Sequence, residues 1–308
     1  MYKYRITVFT PTYNRAYILE KLYHSLCIQS YLDFEWLIVD DGSIDGTEQL
    51  IYTWKAEKKI NIRYFKIENG GKHRAINYGL YKAEGELFFT MDSDDELTSD
   101  ALEKINLWFE SIEDESNICG IAANRGTAAN ITPNRYFEAS YLDKTWLETY
   151  SYYEKGENVL GGERAIIFYT DFHKKYQFPE FQGEKFLTEA IVYNRMAYDG
   201  FRIRFFNDII WIYEYLDDGL TKAGNTLFLE NPKGYGLWII EKAKFENYSS
   251  FRLLKLIYSF VCELKVKYDS KIIAECIGVS PCLVKFLSVC NDIITWYKCN
   301  HNKFILNK

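Results

Sequence analysis

The sequence of 308 residues predicts an α/β fold, in which a mostly parallel central sheet is flanked by helices and followed by a helical C-terminal extension. Short β-prone runs alternate with helical segments over residues 6–112, which is typical of βαβ units. The loops between these segments are only a few residues long. Beyond residue 225, the apolar residues recur at helical spacing. We therefore expect one domain over 1–225 and a helical extension over 226–308.

Helical periodicity separates the β-prone runs of the first part of the chain. The predicted strands are Ile6–Thr10, Phe34–Val39, Ile60–Ile67 and Leu87–Met91. The predicted helices that follow them are 16–29, 45–58, 75–83 and 101–112. Pro11 should end the first strand, because proline cannot donate a hydrogen bond to a neighbouring strand. Asp45 and Glu48 have the spacing of a capping box at the start of the second helix.

The second part of the chain is less regular between 130 and 153, and we expect this excursion to line a substrate pocket. Strands are predicted at 118–123 and 165–169, a helix at 187–198, and a closing pair of strands at 202–206 and 209–215. C-terminal helices are predicted at 238–245, 251–267 and 283–297, the last with Ser280 as N-cap and Pro281 in first position. Ile257, Phe260 and Leu264 belong to an apolar stripe that favours packing against another element.

Composition and charge exclude several classes of function. A net charge of −6 argues against a nucleic-acid binder, because such proteins neutralise phosphates with basic residues. Seven scattered cysteines without a CxxC pair fit a reducing compartment rather than a disulfide framework or a zinc site. The sequence has no signal peptide and no run of about 20 apolar residues. These features predict a cytoplasmic protein.

Charge is unevenly distributed along the chain. Residues 241–308 contain 11 Lys and Arg against 6 Asp and Glu. A basic helical segment on an acidic body suggests contact with anionic lipid, although ordinary helix-surface lysines explain the pattern equally well. Two roles are therefore expected for the extension as alternatives, a peripheral contact at the inner face of the cell membrane or a homodimer interface.

An acidic stretch, Asp92-Ser93-Asp94-Asp95, directly follows the fourth predicted strand. Clustered carboxylates at the edge of a core repel one another, and a divalent cation relieves that repulsion because hard cations prefer oxygen ligands. Taken alone, the stretch is explained equally well as a solvated turn that caps the next helix.

Polar residues also follow the other predicted strands, at Pro11–Arg15, at Asp40–Ser43 and in the glycine loop that contains Lys72. In a parallel sheet, ligands bind at the carboxyl ends of the strands, so these segments should converge on one edge. Neither GxGxxG nor GxxxxGK[ST] occurs, which argues against a dinucleotide or P-loop site. In the same glycine loop, His73 is a weaker candidate for contact with phosphate or ribose.

Four segments in this order carry a family resemblance. Thr10-Pro11-Thr12-Tyr13-Asn14-Arg15, Val39-Asp40-Asp41-Gly42-Ser43 with Asp45, Ala83-Glu84-Gly85-Glu86, and Asp92-Ser93-Asp94-Asp95 resemble the family-2 glycosyltransferases of the Rossmann-like GT-A fold. The resemblance is strong over about the first hundred residues and weaker as far as about Thr221. It implies a nucleotide-sugar donor, most often a UDP-sugar, and Mn²⁺ or Mg²⁺.

The resemblance also implies roles for particular residues in donor binding. Pro11 and Tyr13 would flank the uracil ring, and Arg15 belongs to the same donor-binding loop. Asp41 would accept a hydrogen bond from the uracil N–H, with Asp40 as the alternative. The remaining assignments are Lys72 near the diphosphate, Asp92 on ribose or metal, and Asp94 on the metal.

An inverting transfer also needs a general base on the acceptor hydroxyl. Relatives carry a Glu-Asp pair near the start of a late helix, and the corresponding residues are Thr188-Glu189, which places Glu189 at the base position. Glu184 is the alternative base, and a purely helix-stabilising role for Glu189 stays open. Relatives also carry a metal- or phosphate-binding histidine after the position of Tyr215, where this chain has Leu216-Asp217-Asp218-Gly219.

Such enzymes build surface polysaccharides on glycan or lipid-linked acceptors, and that function is expected here. Two other functions are weighed against it. A nucleotidyltransferase would need a glycine-rich loop after the first strand, and Thr10–Arg15 contains no glycine. A catalytically inactive GT-A scaffold or binding protein would explain the altered base motif and the missing histidine.

Overall fold

The computed structural model describes residues 2–112, 117–214 and 224–305, with side chains described as far as residue 293. The described residues divide into two compact units. The first lies within 1–180 and 192–219, and the second within 181–191 and 220–308. The second unit thus includes 181–191, a segment that the sequence-based boundary at 225 assigns to the first domain.

Strands are concentrated in the first unit. They are Tyr4–Thr12 (β1), Phe34–Asp40 (β2), Ile62–Lys66 (β3), Gly85–Thr90 (β4), Glu96–Leu97 (β5), Ile118–Gly126 (β6), Leu142–Lys144 (β7), Tyr153–Glu154 (β8), Glu157–Asn158 (β9), Arg164–Tyr169 (β10) and Arg202–Ile212 (β11). The main sheet has the order β3-β2-β1-β4-β10-β6-β11-β5, and β7 also pairs with β11. Its first four strands are parallel, as the βαβ pattern predicts, whereas β10 runs antiparallel to both of its neighbours.

The helices alternate with the first strands and then dominate the C-terminal part. They are Glu20–Cys27 (α1), Thr47–Glu57 (α2), Lys72–Lys82 (α3), Ala101–Glu110 (α4), Thr170–His173 (α5), Ala190–Tyr198 (α6), Asn225–Glu230 (α7), Pro232–Phe245 (α8), Ser250–Leu264 (α9), Ser270–Ile277 (α10) and Pro281–Ile305 (α11). The predicted α/β fold with C-terminal helices is therefore confirmed.

Two strand predictions were wrong. The first strand does not end at Pro11 but continues to Thr12, with Pro11 opposite Val39 of β2. On its other side, β1 pairs with β4 only as far as Phe9, so the missing N–H of Pro11 leaves no bond to that strand unmade. The predicted closing pair at 202–206 and 209–215 is one strand, β11, with a register shift between Phe205 and Ile209.

Aromatic side chains fill the core of the first unit. Trp36 of β2 is fully buried, as are Leu22 and Leu26 of α1. The ring of Trp54 stacks on that of Tyr23 with centroids 4.4 Å apart, and Trp36 lies 5.9 Å from Trp54. This packing ties the first two helices to the sheet.

His173 is buried at the end of α5 and gives the fold a pH dependence. Its ring stacks on Phe168 with centroids 5.0 Å apart, and within the described part of the chain its Nδ1 has no hydrogen-bond partner. Burial lowers the pKa of His173 to about 3. The unfolded chain therefore binds a proton near pH 6.5 that the native state does not, so stability is lost as the pH falls below about 6.5.

We expect His173→Phe to flatten this dependence, because phenylalanine keeps the stacking and cannot be protonated. Between pH 7 and pH 5 the variant should lose about 2 kcal/mol less unfolding free energy than the unchanged protein. Urea unfolding at both pH values measures the difference. As a control, substituting the exposed His24 by glutamine should leave the wild-type dependence in place. Equal pH dependence in His173→Phe and the unchanged protein would show that His173 is not the cause.

The second unit is built on the apolar stripe predicted on its long helix. Ile257, Phe260, Val261 and Leu264 of α9 are buried in one cluster with residues of α8, α10 and α11, which confirms the stripe as a packing face. Ser280 Oγ accepts a hydrogen bond from the N–H of Cys282 at the start of α11, as expected of an N-cap. Of the helices described, none alone is long and apolar enough to cross a membrane, while α10 and the described part of α11 together pass that test as a pair bent by 115°.

Candidate active site

The ends of β1 and β2 are joined by side-chain hydrogen bonds. Their register places Thr12 opposite Asp40. Beyond that point, the N–H of Asn14 donates to Ser43 Oγ at 2.8 Å, and the N–H of Ile44 donates to Asn14 Oδ1 at 2.9 Å. Asn14 adopts a φ of 53°, a left-handed conformation that asparagine tolerates better than most residues. The loop that contains Tyr13 is therefore held in one position against the loop after β2.

Asp45 strengthens the same junction. One of its oxygens accepts from the N–H and hydroxyl of Thr47, at the start of α2, and the other accepts from the N–H of Ala16. The predicted capping box does not form, because the carboxylate of Glu48 binds Lys66 instead. Asp45 thus connects the first loop to the second helix rather than acting only within that helix.

Both carboxylates at the end of β2 are buried and hydrogen-bonded. Asp41 accepts from the N–H groups of Gly70 at 2.7 Å and Gly71 at 2.8 Å. Asp40 accepts from the N–H of Ser43 and from the Tyr64 hydroxyl, each at 2.7 Å. Asp41 also accepts from Asn69 Nδ2 at 3.0 Å, so hydrogen bonds orient both carboxylates.

The glycine loop leads directly into a helix. The prediction that this helix begins near residue 75 was wrong, since α3 begins at Lys72 after Gly71, whose φ of 98° suits glycine. The N-terminus of a helix carries unpaired N–H groups and a partial positive charge, which favour anions such as phosphate. Lys72 Nζ lies 2.7 Å from Asp92 Oδ1 and so connects this helix to the acidic stretch.

His73 is not placed as a contact residue for the donor. Its side chain is buried, and burial followed by the charge of Arg74 lowers its pKa to about 4. The imidazole is therefore neutral near pH 7 and adds no positive charge for a phosphate. Lys72 is the cation of this loop that meets the acidic stretch.

The three aspartates of the acidic stretch differ in their environments. Burial alone would raise the pKa of Asp92, but the charges of Lys72, Arg125 and Arg15 outweigh it and hold the pKa below its usual value. Burial and the neighbouring Asp92 raise the pKa of Asp94. The two carboxylates thus interact unfavourably, and only Asp92 has an ion-pair partner among the described residues.

Asp95 has a different, structural position. Its side chain is 4% exposed and accepts from Arg125 Nη2 at 2.9 Å and from Trp211 Nε1 at 2.7 Å. Burial and the charge of Asp92 raise its pKa to about 7. Sequence reasoning left Asp95 without a role and missed Arg125 and Trp211. Arg125 and Trp211 lie at the ends of β6 and β11, next to the predicted site, and this position could have identified them.

A divalent cation fits the donor set that Asp92 and Asp94 provide. In the described part of the chain, no group of three His, Cys, Asp or Glu side chains is arranged to hold a metal ion. Mg²⁺ in substrate complexes is commonly bound by one or two carboxylates together with substrate phosphates and water. Two carboxylates that repel each other at the end of β4 match that chemistry, with the remaining ligands supplied by the substrate.

The predicted base residues lie in the second unit. Glu189 directly precedes α6 and is partly exposed. Glu184 is buried and accepts from the N–H groups of Lys233 at 2.7 Å and Gly234 at 2.9 Å, at the start of α8. Glu184 therefore satisfies two N–H groups at the N-terminus of α8. The segment 216–219, where relatives carry a histidine, lies outside the described residues.

The remaining donor-binding candidates belong to the first unit. Tyr13 directly follows β1 and is 46% exposed. Pro11 lies within β1, and Arg15 acts on Asp92 and Asp94 through its charge. The structure thus brings Tyr13, Arg15 and Lys72 to the edge of the sheet that carries the acidic stretch.

Comparison with known proteins identifies the family. A family model described as Glycosyl transferase family 2 matches residues 7–172, which is more than half of the chain. The chain belongs to this family. The matched region contains every donor- and metal-binding candidate in the first unit, and it ends before Glu184 and Glu189.

Relatives and solved structures agree with this assignment. A Bacillus subtilis protein named as a teichuronic acid biosynthesis glycosyltransferase, TuaG, is 38% identical over 100 residues, which cover 32% of this chain and 39% of that protein. Among solved structures, Staphylococcus aureus TarS 1–349 with UDP has a TM-score of 0.58 at 18% identity, covering 88% of this chain and 86% of TarS 1–349.

A third match comes from an archaeon. The mannosyltransferase PcManGT of Pyrobaculum calidifontis, with GDP-Man and Mn²⁺, has a TM-score of 0.54 at 18% identity over 98% of this chain and 83% of that one. At this level of identity, the likeness of the solved structures shows the shared GT-A fold. The matched stretch spans less than half the length of the curated relatives in the comparison.

Proposed function

We propose that this protein is an inverting, metal-dependent glycosyltransferase that uses a nucleotide-sugar donor, with UDP as the expected nucleotide. The acceptor would be a hydroxyl group of a glycan or a lipid-linked saccharide. The main support for the proposal is a set of hydrogen bonds at one edge of the sheet. They connect the loops after β1 and β2, the start of α3 and the acidic stretch. Lys72 against Asp92 is the central contact. The family assignment supports the same reaction class.

The nucleotide would bind at the ends of β1 and β2. Tyr13 offers an exposed aromatic face for the base, and Pro11 precedes it in the same strand end. Asp41 would accept from the uracil N–H, with Asp40 as the alternative, since hydrogen bonds hold both carboxylates at the end of β2. UDP bound to TarS supports uracil as the base, and GDP-Man bound to PcManGT makes guanine the alternative to test.

The diphosphate would lie between the start of α3 and the acidic stretch. Asp94 and Asp92 would hold Mn²⁺ or Mg²⁺, and when bound the ion stabilises negative charge on the departing diphosphate. Lys72 and the N–H groups at the start of α3 add positive charge on the other side. Because hydrogen bonds already hold these groups in place, little reorganisation is needed when the sugar leaves.

Glu189 is proposed as the general base that removes the proton from the acceptor hydroxyl. Its partial exposure supports this role, because a base must reach a substrate. Glu184 is the alternative. Its two oxygens already bind backbone N–H groups at the start of α8, which favours a structural role for Glu184.

Binding of UDP tests the nucleotide assignment. We expect Tyr13→Ala to weaken UDP binding in the presence of Mn²⁺ by about 1–3 kcal/mol, because base–aromatic stacking contributes that much. Isothermal titration with UDP, GDP and CDP measures the loss and the base preference. Tyr81→Ala, which removes a more exposed tyrosine from α3, is the matched control and should bind UDP normally.

The outcomes separate the functions that the sequence leaves open. If Tyr13→Ala binds UDP as tightly as the unchanged protein, the stacking role of Tyr13 is wrong. A chain that binds nucleotide sugars but never turns them over would be the inactive scaffold. Release of pyrophosphate from a sugar phosphate and UTP would instead identify a nucleotidyltransferase.

We propose two alternative roles for the helices of the second unit, a peripheral contact with the membrane or a homodimer interface. Large apolar side chains are exposed there, including Phe251 at 80% and Phe286 at 64%. The surplus of basic residues over 241–308 favours an anionic lipid surface. Flotation of the full chain with anionic vesicles and sedimentation velocity without lipid would separate the two alternatives.

A further inference from the structure

A cavity of about 450 Å³ lies in the first unit, next to the acidic stretch. Arg125, Arg135, Glu163 and Tyr213 contribute the charged and aromatic part of its lining. Its size is typical of cavities that hold small-molecule ligands. Arg125 links it to the acidic stretch, because its Nη2 also donates to Asp95 at 2.9 Å. The cavity has no role in the donor-binding scheme described above.

Hydrogen bonds within the protein hold the shape of this cavity. Asn158 Oδ1 accepts from the N–H groups of Leu160 and Gly161, and Asn134 Nδ2 donates to the Glu163 carbonyl oxygen at 2.8 Å. Gly162 has a φ of +90°, and a Cβ there would lie 2.3 Å from Asn134 Oδ1. The wall therefore requires glycine at this position and is formed before any ligand enters.

Both arginines that line the cavity are ion-paired with carboxylates. Arg125 Nη1 lies 3.0 Å from Glu163 Oε2, which also lines the cavity, and Arg135 Nε lies 3.2 Å from Oε2 of Glu157, which lies outside the lining. The guanidinium of Arg125 is also held over the rings of Trp211 and Tyr213. The carboxylates offset the charge of both guanidinium groups, and Arg125 and Glu163 present donors and acceptors side by side. An uncharged, polyhydroxylated ligand matches this arrangement, because each hydroxyl both donates and accepts.

A transfer involves the sugar of the donor and a sugar of the acceptor, and the solvent exposure of the cavity rim indicates which of them the cavity binds. The side chains of Arg135 and Glu163 are 63% and 61% exposed. A site around the sugar of the donor has to exclude water, since water would otherwise hydrolyse the activated bond. A solvent-exposed rim suits a saccharide whose chain continues out of the cavity. This feature favours the acceptor over the donor.

We propose that this cavity binds an uncharged saccharide unit of the acceptor, with Glu163, Arg125 and Arg135 hydrogen-bonded to its hydroxyl groups. This inference rests on the proposed glycosyltransferase function and adds the chemical class of its acceptor. Glu163 and Arg135 are then specificity-determining residues. An anionic sugar gains little from the cavity, because carboxylates already offset the charge of both guanidinium groups.

Two exposed variants test the assignment with p-nitrophenyl glycosides as acceptors. Glu163→Gln and Arg135→Gln should each raise the KM for p-nitrophenyl glucoside, galactoside or N-acetylglucosaminide about tenfold, as expected from loss of one charge-assisted hydrogen bond. Hydrolysis of the nucleotide sugar without acceptor should keep its KM and kcat. Glu138→Gln, which removes an exposed, ion-paired carboxylate from the same excursion, is the matched control and should behave as the unchanged protein.

Three other results would each contradict a different part of the proposal. If Glu163→Gln raises the KM for the nucleotide sugar in hydrolysis, the cavity holds the sugar of the donor. If p-nitrophenyl glucuronide is the preferred acceptor, or no neutral glycoside is glycosylated, the acceptor class is wrong. In these cases hydrolysis still occurs and the proposed function stands. If the unchanged protein hydrolyses no nucleotide sugar with Mn²⁺ or Mg²⁺, the proposed function itself fails.

Discussion

Replacement of Asp94 by asparagine is expected to lower the rate of nucleotide-sugar turnover by about a thousandfold or more, because it removes the carboxylate proposed to bind the metal ion that would stabilise the departing diphosphate. Asp94 follows β4, and its pKa is raised by burial and by Asp92, so the folded chain holds two carboxylates that a cation would stabilise. Turnover is measured as release of UDP from a UDP-sugar at saturating Mn²⁺. The Kd of UDP should rise in the variant as well, since Asp94 would hold the ion that offsets the charge of the phosphates.

The control for Asp94→Asn is Glu96→Gln, which removes a negative charge two residues away, from β5. It should keep turnover near that of the unchanged protein. The metal assignment would be wrong if Asp94→Asn kept wild-type turnover, or if the unchanged protein kept turnover in excess EDTA. Unfolding by urea should be recorded for both variants, so that a loss of activity is not attributed to chemistry when the fold is lost.

Replacement of Glu189 by glutamine is expected to lower kcat for transfer by about 10²- to 10⁴-fold, because general-base catalysis typically contributes that factor. The Kd of UDP should not change, since Glu189 is not among the donor-binding residues. Steady-state kinetics at saturating donor and acceptor measure the loss of kcat, and isothermal titration with UDP measures the Kd.

Glu184→Gln separates the two candidate bases. Its carboxylate accepts two N–H groups at the start of α8, so the substitution should lower the free energy of unfolding and leave kcat for transfer near that of the unchanged protein. If Glu184→Gln instead lowers kcat about 10²-fold or more while Glu189→Gln keeps it, Glu184 is the base. If both variants keep the kcat of the unchanged protein, the base lies elsewhere in the chain.

Much of the candidate site could be predicted from the sequence because its parts follow strands. Strand propensity and the position of Pro11, Asp41 and Asp94 after β-prone runs locate the segments, and parallel βαβ units bring such ends to one edge. Two of the errors have local causes. Proline ends a strand only where its missing N–H faces a partner, and at Pro11 the strand on one side has already stopped. Lys72 was assigned to a loop because Gly70 and Gly71 weakened the helix signal before it.

Other features depend on residues that are distant in the chain. In the sequence, Asp95 is one more acid in a cluster. In the structure its carboxylate binds Arg125 and Trp211, which lie 30 and 116 residues further along the chain. Glu48 was expected to cap its own helix, and Lys66 on β3 binds it instead. No pattern within a single segment records such pairings, because they arise only when separate strands are aligned.

The sequence by itself determined the family, the α/β fold, the segments at the proposed donor-binding edge of the sheet, and the candidate residues for metal binding and general-base catalysis. These depend on local propensity, on strand order and on short motifs, all of which are properties of neighbouring residues. The tertiary structure alone decided which acids of the cluster are paired, that Glu184 binds the start of α8, and that ion-paired arginines line a cavity beside Asp95. Those outcomes depend on burial and on contacts between residues far apart in the chain, and both are created when the sheet and the helices pack.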